Sequence, residues 1–187
     1  MHNRSYEVKC IACFMAVIAM VIGAACSQAD RVKDNSGDHT NERAPQTQAT
    51  PSKNITPSDV AKLKWIEGTW RGMDGDKPFF ERYRFENGTT MVVETLADET
   101  LSKVEETSLF ELKDGEFGHT DGDKRSAASS ITADAVQFVP AAGGGNSFRF
   151  ERQGDGTWRA VLEWPAANGK PAGQKIYKME PWPPKVK

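Results

Sequence analysis

Turn-forming residues recur about every ten positions after residue 68, and each turn separates two runs rich in β-branched and aromatic residues. Asn-Gly and Asp-Gly between such runs are the strongest short-range signals for a β-hairpin. The predicted hairpin turns are Glu86-Asn87-Gly88, Lys113-Asp114-Gly115, Ala133-Asp134 and Gly154-Asp155-Gly156. With a last strand over 174–180, the pattern gives about nine or ten short strands without strand–helix alternation. It therefore predicts an all-β fold, built as an antiparallel meander.

An antiparallel meander has two exposed edges unless it closes on itself or folds into a sandwich. Closure removes both edges, so we expect a barrel of about eight to ten strands. A short helix is predicted before the first strand. Thr56 or Ser58 can cap it, Pro57 and Asp59 fit its first turn, and Gly68 ends it.

The N-terminus has the layout of a secretory signal. Arg4 and Lys9 precede an apolar run, residues 11–26, whose uncharged core is shorter than the roughly 20 residues of a membrane span. Residues 1–25 are therefore predicted to be removed on export, and an uncleaved membrane anchor is the alternative. Cys10 and Cys13 lie within this signal, so processing would leave no thiol in the folded region.

The end of the apolar run, VIGAAC, resembles a bacterial lipoprotein signal, in which small residues precede a cysteine that is lipidated and becomes the mature N-terminus. The resemblance implies lipidation of Cys26 and firm attachment to a membrane. Gly23 departs from the pattern, where a bulky aliphatic residue is usual, so cleavage after Ala25 or Ala29 stays open. Ser27 follows the cysteine instead of aspartate, which favours the periplasmic face of the outer membrane in such lipoproteins.

The polar stretch from 26 to 56 has almost no large apolar side chains and is predicted to be a disordered tether. The folded domain is predicted over 57–182, followed by a short tail over 183–187. The net charge of −2 and the alternation of acidic and basic residues along the strands argue against a nucleic-acid surface.

The stretch LKWIEGTWRG resembles the opening of lipocalin-like (calycin) barrels, and more closely an uncharacterised bacterial lipocalin-like domain family that opens Leu-x-Trp-Leu-x-Gly-x-Trp. The matching residues are Leu63, Trp65, Gly68 and Trp70, with Ile66 in place of leucine and Glu81 and Tyr83 opening the next strand. The resemblance covers residues 60–180. It implies a barrel that holds a small ligand, with a tryptophan plugging its closed end, and it implies no established reaction.

Alternation along the strands places charged residues beside apolar ones. Glu81 and Tyr83 share one face of their strand, and Glu106 shares a face with Phe110. A carboxylate inside a barrel needs a partner, which is a ligand, an internal ion pair or water at an open end. The candidate ligand-binding residues are Trp70, Phe80, Glu81, Tyr83, Glu106 and Phe110, and a purely structural role is the alternative for the tryptophans.

GTWRG also resembles the opening of nitrobindin, a haem-binding calycin whose histidine ligand lies near the C-terminal strands. This chain has no histidine there, and His119 is the only histidine of the predicted domain. It is predicted to be a surface residue at a solvated hairpin end. The HTDGD stretch lacks the spacing of a calcium loop. We therefore predict neither a cofactor nor a metal.

No Gly-x-Ser-x-Gly, His-Glu-x-x-His or phosphate-cradling loop occurs, and Gly143–Gly145 precede a predicted strand instead of a helix. A hydrolase or isomerase has no supporting set of residues. The sequence predicts a non-enzymatic protein, held in the bacterial envelope, that binds a small and partly apolar molecule in its barrel. The alternative is an envelope interaction module with a filled barrel core and an unknown protein partner.

Overall fold

The computed structural model describes residues 49–142, 145–167, 169 and 171–184. The predicted signal, Cys26 and most of the predicted tether lie outside the described residues. Ten strands form one closed antiparallel barrel. They are β1 (Gly68–Asp74), β2 (Lys77–Phe85), β3 (Thr90–Leu96), β4 (Val104–Lys113), β5 (Glu116–Asp121), β6 (Lys124–Ile131), β7 (Ala135–Ala142), β8 (Ser147–Arg152), β9 (Trp158–Trp164) and β10 (Gly173–Pro181). The all-β meander and its closure, predicted above, are both confirmed.

Each strand pairs with the next one along the chain, and β1 closes the barrel against β10. In that closing pair Trp70 lies opposite Pro181 and Arg71 lies opposite Glu180. The four predicted hairpin turns all occur. At the second of them, Asp114 and Gly115 have φ angles of 51° and 78°. Positive φ at both central residues defines a two-residue turn whose twist matches that of the flanking strands.

A short helix covers one end of the barrel. It consists of α1 (Pro57–Ala61) and a 3-10 turn (Lys62–Ile66), and its residues Val60, Leu63 and Ile66 are almost fully buried. The indole Nε1 of Trp70 donates a hydrogen bond of 2.7 Å to the carbonyl oxygen of Ile66. This bond fixes the helix to the first strand. We call this the helix end of the barrel.

Thr56 caps this helix in a reciprocal arrangement. Its side chain accepts from the backbone N–H of Asp59, and the Asp59 carboxylate accepts from the backbone N–H of Thr56. Hydrogen bonds from Lys62 and Thr56 lower the pKa of Asp59 from 3.8 to about 2. The stabilisation from this carboxylate is therefore present above pH 3.8 and is lost as the pH falls toward 2.

We expect Thr56→Ala to raise the pKa of Asp59, because it removes the hydroxyl that donates one of the hydrogen bonds lowering this pKa and leaves the bond from the backbone N–H of residue 56 in place. NMR titration of the Asp59 side chain in both proteins measures the shift. Ser58→Ala is the matched control, since Ser58 contacts the Thr56 hydroxyl without being named among the groups that lower this pKa. An unchanged pKa in Thr56→Ala would contradict the capping arrangement.

The end opposite the helix, which we call the mouth end, is where β1, β3, β5, β7 and β9 end, and it includes the connections 75–76, 97–103 and 122–123. Of the predicted glycine loop, Gly143 and Gly144 lie outside the described residues, and Gly145 precedes β8. On the inner wall, Lys175 and Glu106 near this end are partly exposed, whereas Trp158 and Met179 near the helix end are buried. Water therefore reaches Lys175 and Glu106 from the mouth end.

Aromatic rings pack together through the barrel interior, from the helix end to Phe148 near the mouth end. Trp158 lies at their centre and contacts the rings of Trp65, Trp70, Tyr83 and Phe150, with ring centroids 5.0 to 6.4 Å apart. Further rings continue the cluster across the interior, and the closest pair, Phe138 and Phe148, is stacked at 4.6 Å. The cluster accounts for the burial of most large side chains in the domain.

The outer wall is polar, as the alternation of charges predicts. Arg82 and Arg84 both pair with Glu94, and Arg149 and Arg159 both pair with Glu151. Among the described residues, no helix is both long enough and apolar enough to span a membrane.

Candidate functional site

A row of three polar residues crosses the inner wall on neighbouring strands. Glu81 of β2 lies directly opposite Thr95 of β3, which lies directly opposite Glu106 of β4. Residues that are directly opposite share a face of the sheet. Glu81 stands at the middle of its strand, Thr95 is next to the last residue of β3, and Glu106 is near the start of β4. This polar row therefore rises from mid-depth toward the mouth end.

The deepest member of the polar row is a carboxylate with no solvent exposure. Glu81 is 0% exposed, and its Oε2 accepts a hydrogen bond of 2.7 Å from the hydroxyl of Tyr83. A hydrogen bond of this kind offsets part of the cost of burying a carboxyl group.

The middle member of the row is a buried hydroxyl without a partner. Thr95 is 3% exposed, and its Oγ1 makes no hydrogen bond within the part of the chain that the structure describes. A buried hydroxyl that loses its bonds to water costs about 1–3 kcal/mol. Such groups are rare in native interiors, and an absent water or ligand is one of their ordinary explanations.

Nearer the mouth end, β1 and β10 bring opposite charges onto the inner wall. Lys175 Nζ lies 2.5 Å from Asp74 Oδ1, and this bond is the main reason that the pKa of Lys175 is raised. The Tyr177 hydroxyl is buried beside this pair. Burial raises the pKa of Tyr177, the charges of Asp74 and Glu81 raise it further, and Lys175 opposes them. Tyr177 is therefore protonated at neutral pH.

In the mouth half of the barrel, two aromatic rings pack directly over glycine residues of the neighbouring strand. A Cβ added to Gly72 would lie 2.1 Å from the ring of Phe79, and one added to Gly173 would lie 2.7 Å from the ring of Trp164. The Phe79 ring also meets the Tyr177 ring edge-on at 5.5 Å. Only glycine permits these ring positions, so apolar surfaces flank the charged pair of β1 and β10.

Phe80 lies on the outer face of the barrel, contrary to the expectation that it lines the interior. Its neighbours Phe79 and Glu81 point inward, and a strand alternates its faces. The Phe80 ring contacts Trp182 at 5.4 Å, and Trp182 also donates from Nε1 to the carbonyl of Glu99. The segment that follows β10 therefore folds over the outside of the wall and buries Phe80 there.

The other predicted lining residues point inward at different depths. Trp70 lies opposite Glu81 but is bonded to the helix, and Tyr83 contacts both Glu81 and the aromatic cluster. Phe110 is fully buried within the aromatic cluster. The structure thus brings Glu81, Tyr83 and Glu106 into or beside the polar row, whereas Trp70 and Phe110 belong to the packed half.

His119 is not a surface residue, and that prediction is wrong. Strand β5 continues to Asp121, which places His119 on the inner face opposite Phe110, with the two rings stacked at 5.1 Å. Its Nδ1 lies 3.0 Å from the carbonyl oxygen of Leu109, so Nδ1 carries the donated proton. Its Nε2 is buried without a partner among the described residues.

Three inner-wall residues were not identified from the sequence, although the alternation of inward and outward residues along their strands places them inside. Thr95 follows Met91 and Val93 in the alternation of β3, and Tyr177 precedes Met179 in that of β10. Lys175 would have been placed inside by the same rule. Its pairing with Asp74 depends on the contact between the first and last strands, which alternation cannot predict.

The fold and this inner wall define a class of protein: a closed antiparallel β-barrel with one helix-covered end, consistent with a lipocalin-like barrel. No protein-family model, curated protein or solved structure matches the chain. Within the described residues, no group of three or more histidine, cysteine, aspartate or glutamate side chains is placed to hold a metal ion.

Proposed function

We propose that the protein binds a small, partly apolar molecule that enters its barrel from the mouth end. The observation that carries this proposal is the hydroxyl of Thr95, which is buried without a hydrogen-bond partner among the described residues and lies between Glu81 and Glu106 on the inner wall. Ligand sites of this kind are mostly apolar concavities with a few polar groups that orient the ligand. The rings of Phe79 and Trp164 supply apolar surface in the same half of the barrel.

A second candidate is a non-enzymatic interaction module whose barrel is filled by its own side chains. The packed aromatic rings of the helix half favour this alternative, because a barrel of about this size can be filled completely. Ile176 and Leu109 support it as well, since these outward apolar side chains are 48% and 44% exposed. The two candidates differ in what occupies the mouth half.

The cellular setting is part of the proposal and depends on the sequence alone. A lipid on Cys26 would hold the domain in the bacterial envelope, with the periplasmic face of the outer membrane favoured. We also propose that the protein is not an enzyme, since neither sequence motifs nor the polar row supply an activated nucleophile with an oriented base.

Native mass spectrometry of the mature protein, recovered gently from a bacterial envelope, tests the binding proposal. A non-covalently bound species of small mass, lost on denaturation, supports it, and that mass begins to identify the ligand. A protein without such a species, from several growth conditions, favours the filled interaction module.

Two neighbouring substitutions determine whether a bound species lies inside the barrel. Ser108 points inward and is 5% exposed, whereas the adjacent Thr107 points outward and is exposed. We expect Ser108→Phe to abolish the bound mass by filling the mouth half, and Thr107→Phe to keep it. Cooperative thermal unfolding of both variants checks that they fold. Loss in both variants, or retention in both, would place the species elsewhere.

A further inference from the structure

Thr95 is covered although it lies near the mouth end. It is next to the last residue of β3 and is 3% exposed, whereas Lys175 and Glu106 near the same end are partly exposed. A molecule that contacts the Thr95 hydroxyl therefore needs part of the mouth to move. The connection between β3 and β4, residues 97–103, begins two positions after Thr95 and is the nearest segment of the chain outside the strands.

The connection 97–103 is a compact unit with few buried side chains. At its base, Ala97 N–H donates to the carbonyl oxygen of Lys103 at 3.0 Å, and further along Leu101 N–H donates to that of Asp98 at 3.2 Å. All of its residues are exposed except Leu101, which is partly buried. Segments with so little burial open at a lower free-energy cost than the core of a domain. The connection can therefore move as one body while the strands stay paired.

Leu101 has a backbone conformation that is unfavourable for its residue type. Its φ angle is 60°, in the left-handed region that residues with a Cβ rarely adopt. Such a conformation persists only where the surrounding structure holds it, and it is enriched in segments that switch between two arrangements. The observed form of the connection therefore depends on bonds that reach it from outside.

Two side chains of the outer wall supply bonds of this kind. Trp182 donates from Nε1 to the carbonyl oxygen of Glu99 at 3.2 Å. Arg82 donates from Nη2 to the carbonyl oxygen of Leu101 at 3.3 Å. Trp182 is itself fixed, since its backbone N–H donates to the carbonyl oxygen of Thr69 at 2.8 Å. The connection is thus tied to β1 and β2 by contacts on the outside of the barrel.

We propose that the connection 97–103 is a lid over the mouth end and that Trp182 is the latch that holds it closed. This inference rests on the proposed function, because a ligand of the barrel would pass the lid to reach Thr95. Release of the bonds from Trp182 and Arg82 would expose two carbonyl groups to water and let Leu101 leave its left-handed conformation, which offsets part of the cost of opening.

Alkylation of a thiol placed at the covered position measures how often the lid opens. The reporter is Thr95→Cys, and its rate of reaction with iodoacetamide is read by peptide mass spectrometry, which separates position 95 from the natural cysteines. Thr107→Cys, on the exposed outer face, gives the rate of an uncovered thiol. We expect position 95 to react at least about 10-fold more slowly than position 107, because it reacts only while the lid is open.

Variants of the two outside bonds locate the latch. Trp182→Phe keeps an aromatic ring and removes the bond to Glu99, and Arg82→Ala removes the bond to Leu101. Each should raise the alkylation rate at position 95 by about threefold or more, the effect of losing one net hydrogen bond from the closed form.

Arg84→Ala is the matched control and should leave the rate unchanged. Arg84 pairs with Glu94 as Arg82 does, but it makes no hydrogen bond to the connection among the described residues. Cooperative thermal unfolding checks that every variant folds. Ser108→Cys is a second reporter if Thr95→Cys fails to fold, since Ser108 also points inward and is 5% exposed.

The outcomes separate the lid from the proposed function. Alkylation as fast at position 95 as at position 107, a rate unchanged by Trp182→Phe, or an equal rise in Arg84→Ala overturns the lid. No ligand takes part in these measurements, so the binding proposal stands after each of them. The binding function fails only if the protein recovered from the envelope carries no bound species.

Discussion

Trp158→Ala is expected to lower the free energy of unfolding by about 3–5 kcal/mol, the range for removing a large aromatic side chain from a packed core. Trp158 has no solvent exposure and contacts four other aromatic rings, including Trp65 of the covering helix and Tyr83 of β2. The cavity would open where the helix, the first strands and the last strands meet, so they cannot collapse together to fill it. Urea unfolding followed by circular dichroism measures the change.

Two further variants serve as controls for the Trp158→Ala prediction. Trp158→Phe keeps a ring and removes an Nε1 that has no hydrogen-bond partner among the described residues, so we expect a smaller loss, about 1–2 kcal/mol. Ile176→Ala is the surface control, because Ile176 is 48% exposed on the outer wall, and should change stability by less than about 1 kcal/mol. An equal loss in Trp158→Ala and Ile176→Ala would contradict a core centred on Trp158.

Gly118→Ala is expected to destabilise the barrel by about 3 kcal/mol, although it adds only one methyl group. A Cβ at this position would lie 2.3 Å from the carbonyl oxygen of Ser126 and 2.9 Å from Cα of Ala127. Both atoms belong to the backbone of β6, which is paired with β5, so no side-chain rotation relieves the contact. The two strands would have to separate, with loss of ladder hydrogen bonds. Chemical denaturation measures the effect.

Gly154→Ala is the matched control for this prediction. Gly154 lies in the turn between β8 and β9, with open space around its Cβ position. The same chemical change should therefore alter stability by less than about 0.5 kcal/mol. If Gly118→Ala were equally mild, the close approach of β5 and β6 described here would be incorrect.

The strand pattern was predictable because it is local. An Asp-Gly or Asn-Gly pair adopts its turn with little help from the rest of the chain, and alternation then assigns faces to the strands on either side. For β2 this reasoning places Glu81 and Tyr83 inside and Arg82 and Arg84 outside, as the structure does. The capped helix before Gly68 was predictable for the same reason, because its capping residues lie within a few positions of one another.

Alternation fails where a strand carries an extra residue. Thr95 lies opposite Glu106, but Leu96 lies opposite Val104, so Glu105 is bulged out of register. The sequence pattern places Val104 on the same face as Glu106, whereas Val104 is 41% exposed on the outside. One extra residue reverses every face beyond it, and nothing in the local composition marks its position.

His119 and Phe80 depended on contacts between distant parts of the chain. His119 lies inside because β5 extends to a turn at 122–123, which pairs it against Phe110 of the preceding strand. Phe80 is buried outside because Trp182, about a hundred residues later, folds over it. Neither partner could be identified from its neighbours in sequence.

The sequence by itself determined the all-β class, the turns, the approximate number of strands and the inward faces of the regular strands, because each depends on residues within one hairpin. Only the tertiary structure decided how the candidate site is assembled. The polar row needs the register of three strands, the pair of Asp74 and Lys175 needs the closure of β1 on β10, and the depth of Glu81 needs the barrel as a whole. Cross-strand contacts arise from register and closure, which no single segment of a chain encodes.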